Sequence, residues 1–322
     1  MSRAERFLAL SGGVGGAKLS AGLAALLGDR LDVVVNTGDD FTHLGLTICP
    51  DLDSVAYALA GMNDTGRGWG VAQESWSFMD QVKRLGGEDW FLLGDRDLAM
   101  HVLRSQMLAG GMALDAVTAV ITTRMGIAAR LLPATNAPLR SMILTAEGPL
   151  PFQDWFVRLR CAPEVTGLRF EGADRAPLLP AAGAALASAD LAGIILCPSN
   201  PYVSIDPILA VGDMRQRLRN AQAPRIAVSP FIEGRAIKGP AAEMARNLGG
   251  EASALGIARH YAGLIDAVVL DYRDAALVPA IEALGLRTRL AQTLMQTDEE
   301  KRALAAVCLD LCRDLGTGGH RG

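Results

Sequence analysis

Four short stretches of this 322-residue chain concentrate side chains suited to handling anions. The first is Ser11-Gly-Gly-Val-Gly-Gly-Ala-Lys18. Gly12, Gly13, Gly15 and Gly16 let the backbone turn tightly and let a ligand come close. A valine at Gly15 is expected to block that approach and to meet a positive φ that it resists. A helix opening on such a turn presents N–H groups and its positive dipole end to a phosphate, and Lys18 adds a point charge. The spacing is neither a P-loop, which needs Gly-Lys-Ser/Thr after a longer loop, nor G-x-G-x-x-G. A tight turn without a ligand is the plain alternative.

The second stretch pairs Asn36-Thr-Gly-Asp-Asp40 with Pro50-Asp-Leu-Asp53, placing Asp39, Asp40, Asp51 and Asp53 near one sheet edge. Carboxylates beside a phosphate site usually hold Mg²⁺ with some of its waters. Capping of a helix by Asp51 or Asp53 is the structural alternative. The third is Leu93-Gly-Asp-Arg-Asp97, where Arg96 can clamp a phosphate with two hydrogen bonds and Asp95 can cap a helix. His101 on that helix is an acid or base, or simply a packed histidine. The fourth is Pro198-Ser-Asn-Pro-Tyr-Val-Ser204, which sets the short donors Ser199, Asn200 and Ser204 at the end of an apolar run. Asn200-Pro201 equally favours a turn. Arg235 and Lys238, further along, face either anions or solvent.

The elements that must position these residues read as alternating strand and helix. A strand over 6–11, the glycine turn, a helix over about 17–27 and a β-branched strand over 31–36 make a parallel βα unit. Helices are expected near 53–62, 73–86, 97–109 and 112–122. Extended segments are expected at 127–132, 139–145 and 156–160, and these define a small inserted subdomain at about 125–175. A helix is expected in the alanine-rich stretch 178–192. Strands then return at 193–197, 225–229, 267–271 and 287–290, with a helix near 275–284 and a last one over 298–315. The fold class is α/β, a doubly wound, mostly parallel, Rossmann-like sheet with a small inserted α+β subdomain. The whole chain, 1–322, forms a single domain, and ligands belong at the carboxyl ends of the strands.

Hydrophobic residues make up 50% of the chain and charged residues 20%, which is the balance of a packed globule and not of a disordered chain. A formal charge of −4 gives no electrostatic footprint for duplex nucleic acid. No apolar run suits a membrane span. Five scattered cysteines complete no zinc pattern and fit a reducing, cytoplasmic setting.

Taken together, these motifs resemble the 2-phospho-L-lactate transferases of coenzyme F420 biosynthesis, whose actinobacterial members act with phosphoenolpyruvate. The likeness runs from residue 6 to about 297. It rests on the glycine turn, Asn36–Asp40, Cys49–Asp53, Arg67-Gly-Trp-Gly70, Trp90–His101, Ala129–Thr135, Phe152–Trp155 and Pro198–Ile205. The resemblance implies transfer of a phospho-three-carbon-acid unit from a guanosine-diphosphate-linked donor to the ribityl hydroxyl of the deazaflavin Fo, with release of GMP and help from Mg²⁺. It implies Gly12–Lys18 beside the diphosphate and Ser199, Asn200 and Ser204 on the guanosine nucleotide (GMP or GDP). It gives Asp40 and Asp53 to the metal and the Fo hydroxyl, Arg96 to phosphate or Fo, and a homodimer as the assembly. Trp69 and Trp90 lie against the flat ring or pack in the core. Two other classes stay in view. A nucleotide-sugar-binding regulator of the related gluconeogenesis-factor family lacks support at Phe41-Thr-His-Leu-Gly45, where that family is rich in glycine and serine. A nicotinamide oxidoreductase lacks its glycine fingerprint.

Overall fold

The computed structural model describes residues 5–236 and 239–318. Seven strands form the central sheet: β1 (Arg6–Ser11), β2 (Leu31–Val35), β3 (Arg130–Pro133), β4 (Leu191–Leu196), β5 (Arg225–Val228), β6 (Ala267–Asp271) and β7 (Arg287–Ala291). Their order across the sheet is β7-β6-β5-β4-β1-β2-β3, and every pairing is parallel. The chain therefore winds outward from β1 in one direction and, after β3, outward from β4 in the other. The expected doubly wound sheet is present.

Helices cover both faces, so the strands are near-continuous apolar runs whose alternate side chains enter two separate cores. Leu8, Leu10, Val34, Ile194 and Leu196 pack into one. Phe7, Ala9, Val33, Val35 and Ile195 pack into the other, against α1 (Val14–Leu27) and the last helix, Asp298–Gly318. A second sheet of three antiparallel strands, ordered Gly148–Pro151, Arg140–Thr145, Gly167–Glu171, lies within 125–175.

Several local expectations need correction. Helix α1 starts at Val14, three residues early, so Gly15 and Gly16 are helical rather than part of the turn. Residues 156–160 are not extended. Residues 156–158 belong to a wide helical turn, Asp154–Arg158, and 159–160 to the turn that follows; fully buried Trp155 anchors it, and its indole N–H donates to Pro163 O. The alanine-rich helix is only Pro180–Leu186, because β4 already begins at Leu191. A hairpin, Phe41–His43 with Leu46–Ile48, was not expected: its turn uses Leu44 at φ 50° and Gly45 at φ 77°, and leucine gives no turn signal. Lys238 lies outside the described residues.

Candidate active site

β1 and β4 are neighbours whose following connections leave in opposite directions, and the loops after them meet at that switch point. The Gly12 N–H donates to Ser199 Oγ at 2.9 Å. The contact explains the glycines. A Cβ on Gly12 would sit 2.2 Å from Ser204 Cβ, on Gly13 2.6 Å from Asp51 Oδ1, on Gly15 2.2 Å from Pro198 O, and on Gly16 2.2 Å from Ser199 Oγ. None of the four has a positive φ. The constraint at Gly15 is thus the Pro198 carbonyl and not, as expected, its backbone angles.

The N-terminus of α1 carries no side-chain cap and no acid in its first turn. Gly13, Val14 and Gly15 line a cavity of about 560 Å³, so the dipole's positive end opens on it. Lys18, one turn further, also lines it and donates from Nζ to Met295 O at 2.7 Å. Ser199, Asn200 and Ser204 form another part of the wall. The Asn200 side-chain oxygen accepts from Tyr202 N at 3.0 Å, capping the turn Pro201–Ile205.

Helix α2 (Pro50–Leu59) brings in the acids. Proline at its first position suits a helix start, and Asp51 in the first turn reaches back toward the glycine loop. Asn36 Nδ2 donates to Asp51 Oδ2 at 2.9 Å. Burial pushes the Asp51 carboxyl up to about 6, only partly opposed by hydrogen bonds from Asn36, Gly13 and Ser204. Asp39 beside it is held well above the usual carboxylate range, by burial first and then by the charge of Asp51. Asp39 Oδ1 is buried with no hydrogen-bond partner. Asp39 and Asp51 both line the cavity. Two desolvated acids with an orphaned oxygen are what a divalent cation would relieve. Among the described residues no three metal-binding side chains converge. Mg²⁺ needs no such cage, because it usually keeps waters and takes one or two carboxylates plus substrate phosphate. Asp40 Oδ1 is likewise buried and unpartnered, but Asp40 is not part of the cavity wall.

Asp53 does reach the wall, and both its oxygens accept from Arg104 of α3 (Asp95–Ala109), with Nη1 3.1 Å from Oδ2. His101 sits between two acids, Nδ1 3.6 Å from Asp53 Oδ2 and Nε2 3.1 Å from Asp97 Oδ1. Tyr57 O–H also donates to Asp97. Burial pushes the Asp97 carboxyl up, but His101, Tyr57 and Arg104 outweigh it and leave it below the ordinary value. Sequence reasoning missed Arg104, Asp97 and Tyr57. A signal existed: Asp97, His101 and Arg104 follow at i, i+4 and i+7 on one helix face, while Val102 and Leu103 fall elsewhere. The structure buries that polar face, with His101 1% and Arg104 3% exposed, and leaves Val102 45% and Leu103 47% exposed.

Arg96 is placed differently. Its backbone N–H and that of Asp97 each donate to the Glu74 carboxylate at 2.8 Å, which caps α3, and its guanidinium donates to Ala72 O at 3.2 Å. It lies outside the cavity wall. The segment between α2 and α3 also contributes Trp69, Trp90 and Phe91 to that wall. Trp90 packs against Phe41, His43 and Phe91, whereas Trp69 is 42% exposed with the Arg67 guanidinium 5.2 Å from its ring. Phe152 and Phe156 add two rings 5.3 Å apart and 8° from parallel. A larger hollow of about 730 Å³, with Leu191 and Cys312 in its lining, lies at the amino ends of the strands, away from all these groups.

Helix dipole, lysine and paired acids at a sheet switch point define a doubly wound α/β enzyme of phosphate-group transfer. The chain belongs to the 2-phospho-L-lactate transferase CofD family, whose sequence model matches residues 7–307. It is 39% identical to a phosphoenolpyruvate transferase of Kitasatospora aureofaciens, over 97% of this chain and 99% of that one. It is 37% identical to a 2-phospho-L-lactate transferase of Methanosarcina mazei, over 92% and 97%. A crystal structure of a Bacillus halodurans protein shares the fold, with a TM-score of 0.63 at 13% identity over 95% of this chain and 100% of that one. The family likeness read from the motifs is borne out. Among the described residues no helix is long and apolar enough to cross a membrane.

Proposed function

We propose that this protein transfers a phospho-three-carbon-acid unit from a guanosine-diphosphate-linked donor to the ribityl hydroxyl of Fo, releasing GMP, in coenzyme F420 biosynthesis. One observation carries this reading: an uncapped helix N-terminus, buried acids and several aromatic rings share a single cavity of about 560 Å³. The donor's diphosphate lies along Gly13–Gly15 and Lys18, and its nucleoside runs past Ser199, Asn200 and Ser204. Exposed Trp69 and the Phe152–Phe156 pair offer faces to the flat deazaflavin.

In this reading the acceptor oxygen bonds to the phosphorus that bears the three-carbon acid, and the bond from that phosphorus to the GMP oxygen breaks. GMP departs with the electron pair, and the hydroxyl's proton passes to the departing phosphate. Such transfers rest on positioning and on charge stabilisation more than on covalent catalysis. Mg²⁺, when bound, neutralises the diphosphate. Asp39 and Asp51 would hold it, in preference to the pair Asp40 and Asp53, since Asp40 lies off the wall and Asp53 is engaged by Arg104. Asp53 accepts the hydroxyl's hydrogen bond and aims its oxygen. Arg96 reaches a substrate phosphate only after leaving Ala72 O.

The donor's acid is taken as phosphoenolpyruvate. The test is mass spectrometry of the product formed from Fo, GTP and the cognate guanylyltransferase, offered phosphoenolpyruvate, 2-phospholactate and 3-phosphoglycerate in turn. Equal incorporation of all three acids removes the preference. No product with any of them, together with thermal protection by a uridine nucleotide-sugar alone, replaces the enzyme by the regulator reading.

A further inference from the structure

Arg104 stands behind the cavity wall rather than in it. Its guanidinium is buried, and both arms of its fork go to Asp53, 51 positions away. Nη1 also lies 3.4 Å from Thr47 O and 3.4 Å from His101 Nδ1. The guanidinium's hydrogen bonds to carboxylates all go to Asp53. Of the carboxylates near it, Asp53 bears on it most and Asp40 less. Asp39 and Asp51 line the cavity, and Asp39 keeps an oxygen without a partner. Asp53 is thus compensated by the guanidinium, Asp40 is buried off the wall with an unpartnered oxygen of its own, and Asp39 and Asp51 are left open to the cavity.

A planar guanidinium fork fixes a carboxylate in plane and in rotation, which an ammonium cannot do. We infer that Arg104 is a positioning residue: its fork holds Asp53 in one orientation at the wall and withholds it from cation binding, so that a divalent cation goes to Asp39 and Asp51. The acceptor's part in this rests on the transfer reading above. The division of the acids rests on geometry alone and is tested without substrate.

Mn²⁺, titrated into the ligand-free protein and followed by electron paramagnetic resonance, reads that division. Changing Arg104→Met and Asp53→Asn together removes both charges and leaves the net charge of the cluster unchanged. Replacing a buried ion pair by neutral groups of similar volume is usually tolerated by the fold. This double variant should bind Mn²⁺ within about threefold of wild type, because no ligand has been lost. A dissociation constant raised about tenfold or more makes Asp53 a ligand and overturns the inference. So does a wild-type protein that binds no Mn²⁺ in the millimolar range. Arg104→Met alone should bind Mn²⁺ about tenfold tighter, through the uncompensated Asp53, and unchanged affinity in this variant, once folded, counts against the inference. The orienting role is read separately with Arg104→Lys, which keeps the charge and loses the fork. It should bind Mn²⁺ as wild type does, while turnover falls about tenfold or more at unchanged KM for the donor. Full turnover in Arg104→Lys overturns the positioning role. If wild type itself makes no product, the transfer reading fails while the Mn²⁺ results still decide the division of the acids.

Discussion

The two sides of the cavity are built on opposite plans. On the glycine-loop side, backbone approaches backbone: Gly12 N–H meets Ser199 Oγ, and Gly15 has room for nothing beyond a hydrogen beneath Pro198 O. On the α2–α3 side, polar side chains hold one another: Arg104 with Asp53, and His101 and Tyr57 with Asp97. The first side tolerates changes of charge but not of volume. The second tolerates volume but not an unpaired charge. Both produce a fixed wall, and the difference lies in what breaks them.

The largest break expected is in the charged wall. Arg104→Met leaves Asp53 buried and uncompensated and should lower unfolding stability by about 3–5 kcal/mol. Urea unfolding measures this, and a loss below about 1 kcal/mol would show that water screens the pair. Next comes Lys18→Ala on the glycine side, which removes a charged contact of about 1.5–3 kcal/mol from the proposed diphosphate. The GDP dissociation constant should rise roughly ten- to hundredfold by calorimetry, with the fold intact. An unchanged constant makes Lys18 a support for Met295 O only.

Gly15→Val tests volume on the same side. Overpacking against Pro198 O should cost about 1–3 kcal/mol and abolish measurable GDP binding. Because the clash is already at Cβ, Gly15→Ala should share the defect. Normal GDP binding by the alanine variant would break the comparison.

The smallest effect is on acid stability. Asp97 has its folded pKa held below the ordinary value, so it contributes stability above a pH of about 4 that is lost as pH falls through the lower folded value. Asp97→Asn should therefore flatten the acid limb of the stability curve below about pH 4, whereas Gly15→Ala should leave that slope as in wild type. Equal slopes in all three proteins would remove Asp97 from the account.

The same contrast decides what the sequence made legible. Strands such as Leu31–Val35 and Ala267–Asp271 read directly, since burial on both faces demands unbroken apolar runs. The glycine loop read well because four glycines within five residues stand out locally. Its cause was misplaced: the glycines answer to Pro198 and Ser204 as well as to any ligand, a fact about residues nearly two hundred positions away. Arg104 is marked in the sequence only by its spacing from Asp97 and His101, and packing of α3 against the acids gives it a role. Asp40 and Arg96 show the converse. Their motifs were conspicuous, yet Asp40 stands off the cavity wall and Arg96 is bound to Ala72 and Glu74.

The pairing of β1 with β4 also has a consequence for synthesis. Gly12 and Ser199 are 187 positions apart, so a nascent chain that has completed its glycine loop has no second half to the proposed nucleotide site. At ordinary translation speeds the two are separated by on the order of ten seconds or more. Throughout that time β1 offers one open edge where β4 will later pair. Nucleotide cannot template the early chain. It can act only on a molecule whose sheet has closed at the switch point, so ligand protection in the cell should report completed chains and not those still being made.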